Sequence, residues 1–192
     1  MTCIAIDAMT SECGVESLAH GAWLAYQQYT DIKYIVVGDK HITEPIFKRL
    51  FRGSTSCISF RHSDDIIEQS DEPLLALRRK KSSSTHACIK AAADGDADGA
   101  VSCANTGALV AISRFFMKRI RSIDRIAFTG SFPTYQPHDV YICDIGASVD
   151  AQPKHLHQYA RMTSAFVQSD AIPKPVVGLL SNGLESIKGN QL

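Results

Sequence analysis

The sequence has no excess charge of either sign. Its 192 residues include 20 Lys and Arg and 20 Asp and Glu, so the formal net charge at pH 7 is zero. A neutral chain generates no general field that attracts nucleic acid or an anionic membrane, and any anion site must therefore be local. Nucleic acid is not the expected partner, and a local cluster of cations becomes informative.

Long hydrophobic runs are also lacking. No stretch reaches the ~18 apolar residues of a spanning helix, and residues 1–9 lack the charged flank and apolar core of a signal peptide. The six cysteines form no C-x-x-C pair and are widely scattered, as is typical of reduced thiols. We expect a soluble cytoplasmic protein, and peripheral contact with a membrane stays open.

Common catalytic motifs are absent as well. There is no G-x-S-x-G elbow, no Walker A loop and no G-x-G-x-x-G. His155 and His157 are two residues apart, so they do not share a helix face, and no carboxylate stands at zinc-ligand spacing. The sequence therefore carries no motif for a serine nucleophile or a zinc ion and only a weak signal for a nucleotide, and we expect neither metal nor cofactor.

Short apolar runs alternate with helical patterns. The runs are rich in β-branched or aromatic residues, as buried strands are, and they cover residues 3–6, 34–37, 57–60, 99–103, 140–143 and 176–180. Between several of them apolar residues recur at helical spacing, as at Val15, Leu18 and Ala22. Such alternation indicates parallel βαβ units. The sequence predicts one α/β domain over residues 1–192, with a mostly parallel sheet and helices on both faces.

Polar or small residues follow five of these strands. They are Asp7, Gly38-Asp39, residues 104–107, residues 144–146 and residues 181–183. Turn chemistry explains any one of them alone. Parallel strands, however, end at a common edge of the sheet, and open α/β sheets bind ligands at that edge. Five strands that end in such polar or small residues, which we call strand tips, therefore predict a binding crevice there.

The tip Asn105-Thr106-Gly107 leads directly into a predicted helix. The first amides of a helix lack partners within the helix, and such amides bind anions. Asn105 or Thr106 is equally suited to act as a plain N-cap. The residues alone leave both interpretations open.

The segment EPLLALRRKKSSST, residues 72–85, joins a run of cations to a run of hydroxyl groups. Pro73 favours a helix start, and Leu74, Leu75 and Leu77 are predicted to supply the apolar face of that helix. The four cations lie in its last turn and complement the helix dipole, but four exceed what capping requires. The hydroxyls can cap a following helix, which would bring cationic side chains, hydroxyls and free backbone amides together at one corner of the fold. The pattern therefore predicts a site there for phosphate or an acidic partner.

Lys188 stands in a Gly-flanked loop after the last predicted strand. Glycine lets the backbone approach a ligand closely, which favours a site. Lys is rarely buried, so a solvated lysine explains the residue equally well.

Together these motifs resemble the phosphate acyltransferases of bacterial phospholipid synthesis. The segments that carry the resemblance are, in order, IAIDAM, VGDK, DEPLLALRRKKSSST, ANTGAL, IDR, DIGASVDAQPKHLHQYARM, VGLL and IKGNQL. The resemblance covers the whole chain and implies a three-layer α/β/α sandwich similar to phosphotransacetylases and isocitrate-type dehydrogenases. It also implies transfer of a fatty acyl group from acyl carrier protein to inorganic phosphate by a cytoplasmic homodimer, with a membrane-associated glycerol-3-phosphate acyltransferase as a further partner.

The resemblance also implies roles for particular residues. Lys188 is the expected catalytic residue, acting through its charge on phosphate or on the developing oxyanion. Residues expected to bind substrate, or to shape the floor of the cleft, are Asn105, Thr106, Gly107, Asn190, Asp7 and Asp144. Residues expected to bind phosphate or the acidic acyl carrier protein are Arg78, Arg79 and Lys80.

The chain departs from the family pattern at several positions. Residues 10–12 read Thr-Ser-Glu where the family has Gly-Gly-Asp, and Ala104 replaces a glycine. The family also continues beyond the position of Leu192, so we expect this chain to correspond to the N-terminal portion. Two alternatives to an active enzyme stay open: a truncated remnant that binds phosphate or acyl carrier protein without catalysis, and a related phosphotransacylase that uses coenzyme A.

Overall fold

The computed structural model describes residues 1–148, 150–170 and 172–180. Its helices and strands follow in the order β1 (Cys3–Asp7), α1 (Gly14–Gln28), β2 (Lys33–Gly38), α2 (Lys40–Leu50), β3 (Ile58–His62), α3 (Pro73–Arg79), α4 (Ser84–Asp94), β4 (Gly99–Val101), α5 (Thr106–Phe116), β5 (Thr129–Phe132), β6 (Val140–Cys143) and α6 (Pro153–Asp170). The chain divides into two compact units, Met1–Lys118 and Arg119–Leu192. That residues 1–192 form a single domain stays a prediction.

The first unit contains a four-stranded sheet in the order β3-β2-β1-β4. Every strand pair in it is parallel, with Ile6 of β1 facing Val36 of β2 and Val101 of β4. Each connection passes through at least one helix, as a parallel pairing requires. The predicted α/β class with a parallel sheet is confirmed for this unit.

Alternate residues of the two central strands build two cores. Ile6 and Val36 point to one face, where they pack with Ala19 of α1 and Phe47 of α2. The residues between them in the sequence point to the other face of the sheet, where they pack against helix α4 and the turn after it. The strand residues of this core are Ala5, Ile35 and Val37, and they contact Cys88, Ala91 and Ala97. Helices therefore cover both faces of the sheet, which makes this unit a three-layer α/β/α sandwich.

Cys88 lies in the second of these cores. Its side chain is fully buried, and burial raises the pKa of the thiol to about 12. The group therefore stays protonated at physiological pH and packs as a small hydrophobe.

A third apolar cluster joins α3, α4 and α5. Ala76 of α3 is buried with Ile89 of α4 and with Ala108 and Ile112 of α5. Of the predicted apolar face of α3, only Leu77 packs against this cluster, whereas Leu74 and Leu75 are 57% and 40% exposed. Small Ala76 lies toward α5 instead and lets the two helices approach closely.

The second unit pairs β5 with β6 as an antiparallel hairpin, and α6 packs against β6. The run at 140–143 is thus a strand as predicted, but it lies outside the parallel sheet. Its connection to β5 is too short for a parallel crossover, which needs about a dozen residues. Residues 176–180, all of them described, form no strand, which corrects the prediction; Val176 is 99% exposed.

No helix among the described residues is both long and apolar enough to cross a membrane.

Candidate functional site

Asp7 is the central residue at the carboxyl edge of the parallel sheet. It ends β1 and is fully buried. Its Oδ2 atom accepts hydrogen bonds from Thr85 Oγ1 at 2.8 Å and from Ser102 Oγ at 2.7 Å. One carboxylate oxygen therefore ties together β1, the first turn of α4 and the segment that follows β4.

Thr10 fixes the same segment from the loop after β1. Its Oγ1 accepts the Cys103 N–H at 3.2 Å and lies 3.4 Å from Ser102 Oγ. Ser102 Oγ in turn accepts the Ala104 N–H at 3.2 Å. The departure from the family pattern at position 10 thus supplies a hydroxyl that organises residues 102–104, which lead into α5.

Asn105 is the N-cap of α5. Its Oδ1 accepts the Ala108 N–H at 3.1 Å, and its Nδ2 donates to the Gln69 carbonyl at 2.6 Å. The capping interpretation is therefore confirmed for Asn105. The N–H groups of Thr106 and Gly107 belong to the first turn of α5, where no preceding turn supplies an acceptor, so binding of an anion by them stays a prediction.

Gly107 also has a packing role. A Cβ atom built on it would lie 2.6 Å from Cγ of Pro73, at the start of α3. A proline ring cannot swing aside as a long side chain does, so the missing Cβ is what allows the two helices to meet here.

We predict that Gly107→Ala lowers the free energy of unfolding by about 1–3 kcal/mol, since this contact becomes overpacked. Urea unfolding measures the effect. Gly21→Ala is the matched control, because a methyl group added to Gly21 in α1 would have no other atom within 4 Å. There alanine is expected to stabilise the helix by up to about 1 kcal/mol. Equal stability of Gly107→Ala and the wild type would contradict the packing role.

The cationic run 78–81 does not act as one cluster. Arg78 and Arg79 end α3 with exposed side chains. Lys80 instead donates to Asp71 Oδ2 and to the Ile66 carbonyl, each at 2.7 Å. The hydrogen bond to Asp71 raises the pKa of Lys80 and lowers that of Asp71. Lys80 therefore fastens the end of α3 to the loop before it.

Three of the four hydroxyl residues after the cations are buried, whereas Ser82 is exposed. Ser83, Ser84 and Thr85 are fully buried. Ser83 caps α4, and Thr85 donates to Asp7. The predicted corner, in which these hydroxyls join the arginines around a phosphate, is wrong for Ser83 and Thr85, because the fold uses both side chains internally.

His86 lies buried behind this turn. Its Nδ1 lies 2.8 Å from Ser83 Oγ, and its Nε2 lies 3.2 Å from the Leu77 carbonyl. A carbonyl only accepts, so Nε2 carries the proton and Nδ1 accepts from the Ser83 hydroxyl. Burial lowers the pKa of His86, Lys81 lowers it further, and the bond to Leu77 opposes the shift.

We predict that this buried imidazole lowers the stability of the protein in mild acid. The folded pKa lies below the unfolded value of about 6.5, so the neutral ring contributes its full stability above pH 6.5. That contribution declines as the pH falls below this value, because the unfolded chain binds the proton more readily. Urea midpoints between pH 8 and pH 5 should fall for the wild type and less for His86→Gln. Exposed His20→Gln is the control and should keep the wild-type slope.

A cavity of about 380 Å³ opens at the carboxyl ends of β2 and β3. Residues that line it are Met9, Asp39, His41, Ile42, His62, Ser63, Asp64 and Ile66. His62 Nδ1 accepts the Lys40 N–H at 3.2 Å, and Nε2 lies 2.9 Å from Asp64 Oδ1. Asp39 follows β2 as predicted from the sequence, whereas the residues at the end of β3 were not predicted; their signal is the polar run His62-Ser63-Asp64.

Asp144 lies in the second unit. Its Oδ1 accepts the N–H groups of Phe128 and Ala147, both at 3.1 Å. Its Oδ2 is buried without a hydrogen-bond partner among the described residues. The contacts hold the turn after β6, and a role in substrate binding stays a prediction.

Lys188, Asn190 and the tip at 181–183 lie outside the described residues, and the roles predicted for them stay predictions. In the part of the chain that the structure describes, no group of three or more His, Cys, Asp or Glu residues is placed to hold a metal ion.

Comparison with known proteins gives evidence on the family of this chain that is independent of the site geometry. Residues 2–192 match the family described as "Fatty acid synthesis protein". Three relatives are each named phosphate acyltransferase. The protein from Geobacillus thermodenitrificans is 39% identical over 98% of this chain, that from Bacillus subtilis 37% over 98%, and that from Methylococcus capsulatus 36% over 100%.

The aligned region is 56% of the length of each of these three relatives, so the chain spans little more than half of the proteins that it matches. The match nevertheless runs through every motif described above, from the Asp7 tip to the segment around Lys188. A match over this range shows that the chain belongs to the fatty acid synthesis protein family.

Proposed function

We propose that the protein transfers a fatty acyl group from acyl carrier protein to inorganic phosphate. The observation that carries the proposal is membership of a family whose relatives, 36–39% identical, are named phosphate acyltransferase. The product is an acyl phosphate, which supplies an activated acyl group to phospholipid synthesis. The three-layer unit, with polar side chains at the carboxyl edge of its sheet, is an architecture that suits such a site.

In this reaction phosphate itself is the nucleophile, so the enzyme has to position the substrates and does not need a nucleophilic side chain. A phosphate oxygen attacks the thioester carbonyl, a C–O bond forms, the C–S bond breaks, and the thiolate of the carrier takes a proton. An enzyme accelerates this by holding the anion beside the carbonyl and by offering donors to the oxyanion. The first-turn amides of α5, at Thr106 and Gly107, are donors of the kind required. Asp7, Thr10 and Ser102 hold the segment that sets their position.

In this proposal Lys188 supplies a positive charge, which the amide donors of α5 lack. Its ammonium group neutralises phosphate or the oxyanion, in keeping with the resemblance of the IKGN segment to the family. The proposal extends to Asn190 in the same segment, to a homodimer, and to an acyltransferase at the membrane that consumes the acyl phosphate.

The proposal is tested by incubating the 192-residue protein with palmitoyl-acyl carrier protein and phosphate. Acyl phosphate, trapped as the hydroxamate, is the expected product, and it should depend on added phosphate. Palmitoyl-coenzyme A in place of the carrier protein is the control. Faster turnover with coenzyme A would favour a phosphotransacylase, and no product with either donor would favour the non-catalytic remnant.

A further inference from the structure

Helix α3 exposes a face that combines apolar and cationic side chains. Leu74 and Leu75 are 57% and 40% exposed, and Arg78 and Arg79 are exposed beside them. At about 100° per residue these four positions fall within an arc of about 140° on one side of the helix. We call Leu74, Leu75, Arg78 and Arg79 the α3 face.

The inner side of α3 is committed to the fold. Ala76 and Leu77 pack with α4 and α5 in the third apolar cluster. Lys80, next along the chain, binds Asp71 and the Ile66 carbonyl. The α3 face is therefore the part of the helix that remains available to a partner, and Lys80 does not belong to it.

The arginines of the α3 face have no acidic partner within the described part of the chain. Neither guanidinium group forms an ion pair in the portion that the structure describes. The protein as a whole is neutral, so two adjacent unpaired arginines are a local positive patch. Such a patch steers an acidic partner by charge complementarity.

The surroundings of the arginines fit a protein surface better than a free phosphate. A small anion is held by converging donors, but the hydroxyls of Ser83 and Thr85 face inward, away from solvent. An interface between proteins typically combines arginine with apolar contacts, which is what Leu74 and Leu75 add. Interfacial membrane helices bury a long apolar face, whereas α3 has only seven residues.

We propose that the α3 face docks the acyl carrier protein, with Arg78 and Arg79 binding its acidic surface and Leu74 and Leu75 its apolar side chains. This inference rests on the proposed function and names the surface that would receive the acyl donor. Arg78 and Arg79 thus act in carrier capture, and phosphate is bound elsewhere.

Titration of holo-acyl carrier protein into the 192-residue protein at about 50 and about 300 mM salt tests the proposal. Arg78→Ala with Arg79→Ala should weaken binding about tenfold or more at low salt and reduce the salt dependence. Leu74→Ser with Leu75→Ser should weaken binding several-fold at both salts. Lys33→Ala with Arg52→Ala removes the same charge from exposed positions elsewhere and should bind as the wild type does.

The outcomes separate this inference from the proposed function. Wild-type protein that forms no acyl phosphate contradicts the proposed function. Carrier binding that is absent in the wild type, or unchanged in the arginine double variant, overturns docking at the α3 face. A raised KM for phosphate with unchanged carrier affinity would overturn it in favour of a phosphate site. If the arginine double variant keeps its carrier affinity but no longer binds phosphatidylglycerol vesicles, docking is overturned in favour of a membrane site. If it keeps its carrier affinity but no longer self-associates, docking is overturned in favour of contact with a second copy of the chain.

Discussion

Replacing Asp7 by alanine is expected to lower the free energy of unfolding by about 2–4 kcal/mol. The change removes the acceptor of two short hydrogen bonds, from Thr85 at 2.8 Å and Ser102 at 2.7 Å, and of a longer one from the Met9 N–H at 3.4 Å. The fully buried Thr85 hydroxyl, left without a partner, costs about 1–3 kcal/mol, and half-buried Ser102 costs less because Thr10 Oγ1 lies 3.4 Å away. Asp7→Asn keeps the shape and one oxygen that can still accept both hydroxyls, while its amide nitrogen replaces the acceptor of the longer Met9 bond, so its expected loss is about 1 kcal/mol.

Urea unfolding of the two Asp7 variants measures both effects. Asp31→Ala is the control at an exposed aspartate, and it should change stability by less than about 0.5 kcal/mol. An alanine variant as stable as the wild type would mean that Thr85 and Ser102 find other acceptors, and Asp7 would then not organise the edge of the sheet.

Replacing Lys188 by alanine is expected to reduce acyl-phosphate formation by about 100-fold or more, which is the usual effect of removing a group that stabilises charge in the transition state. The contact proposed for Lys188 is with the reacting phosphate or oxyanion. Turnover should therefore fall while affinity for the acyl carrier protein stays near that of the wild type.

The rate of acyl-phosphate formation and the affinity for the carrier are both measured, since a folding defect would change both. Lys174→Ala, at an exposed lysine of the second unit, is the control and should keep full turnover. Wild-type turnover in the Lys188 variant would show that the catalytic assignment is wrong and that the IKGN segment is only a turn.

The parallel sheet could be predicted because its strands are short apolar runs that alternate with helices. Runs 3–6, 34–37 and 57–60 became β1, β2 and β3 within one or two residues, and 99–103 shortened to Gly99–Val101. The central strands β1 and β2 are largely buried between helices on both faces, so their apolar composition directly reflects their surroundings. The run at 140–143 has a similar apolar composition but pairs with β5 as an antiparallel hairpin. The short connection between β5 and β6, and not the composition of the run, decides this pairing.

The geometry of the candidate site was harder to predict. Asp7 is a strand tip in the sequence, but its two hydroxyl donors lie 78 and 95 residues away. No local pattern reports such a contact. Likewise, the leucines of α3 satisfy a buried helical pattern, yet the close contact of Pro73 with Gly107 places Ala76 inward and leaves Leu74 and Leu75 outside.

The strand order β3-β2-β1-β4 affects how the chain is made. During synthesis β1 can pair with β2 as soon as residue 38 has emerged, but its other edge has no partner until β4, at Gly99–Val101, leaves the ribosome. Until then a strand edge with free N–H and carbonyl groups is open to other chains. Ser102, which donates to Asp7, follows β4 directly and so leaves the ribosome later still. A nascent chain stalled before Val101 therefore lacks both the fourth strand and the bond that holds it in place.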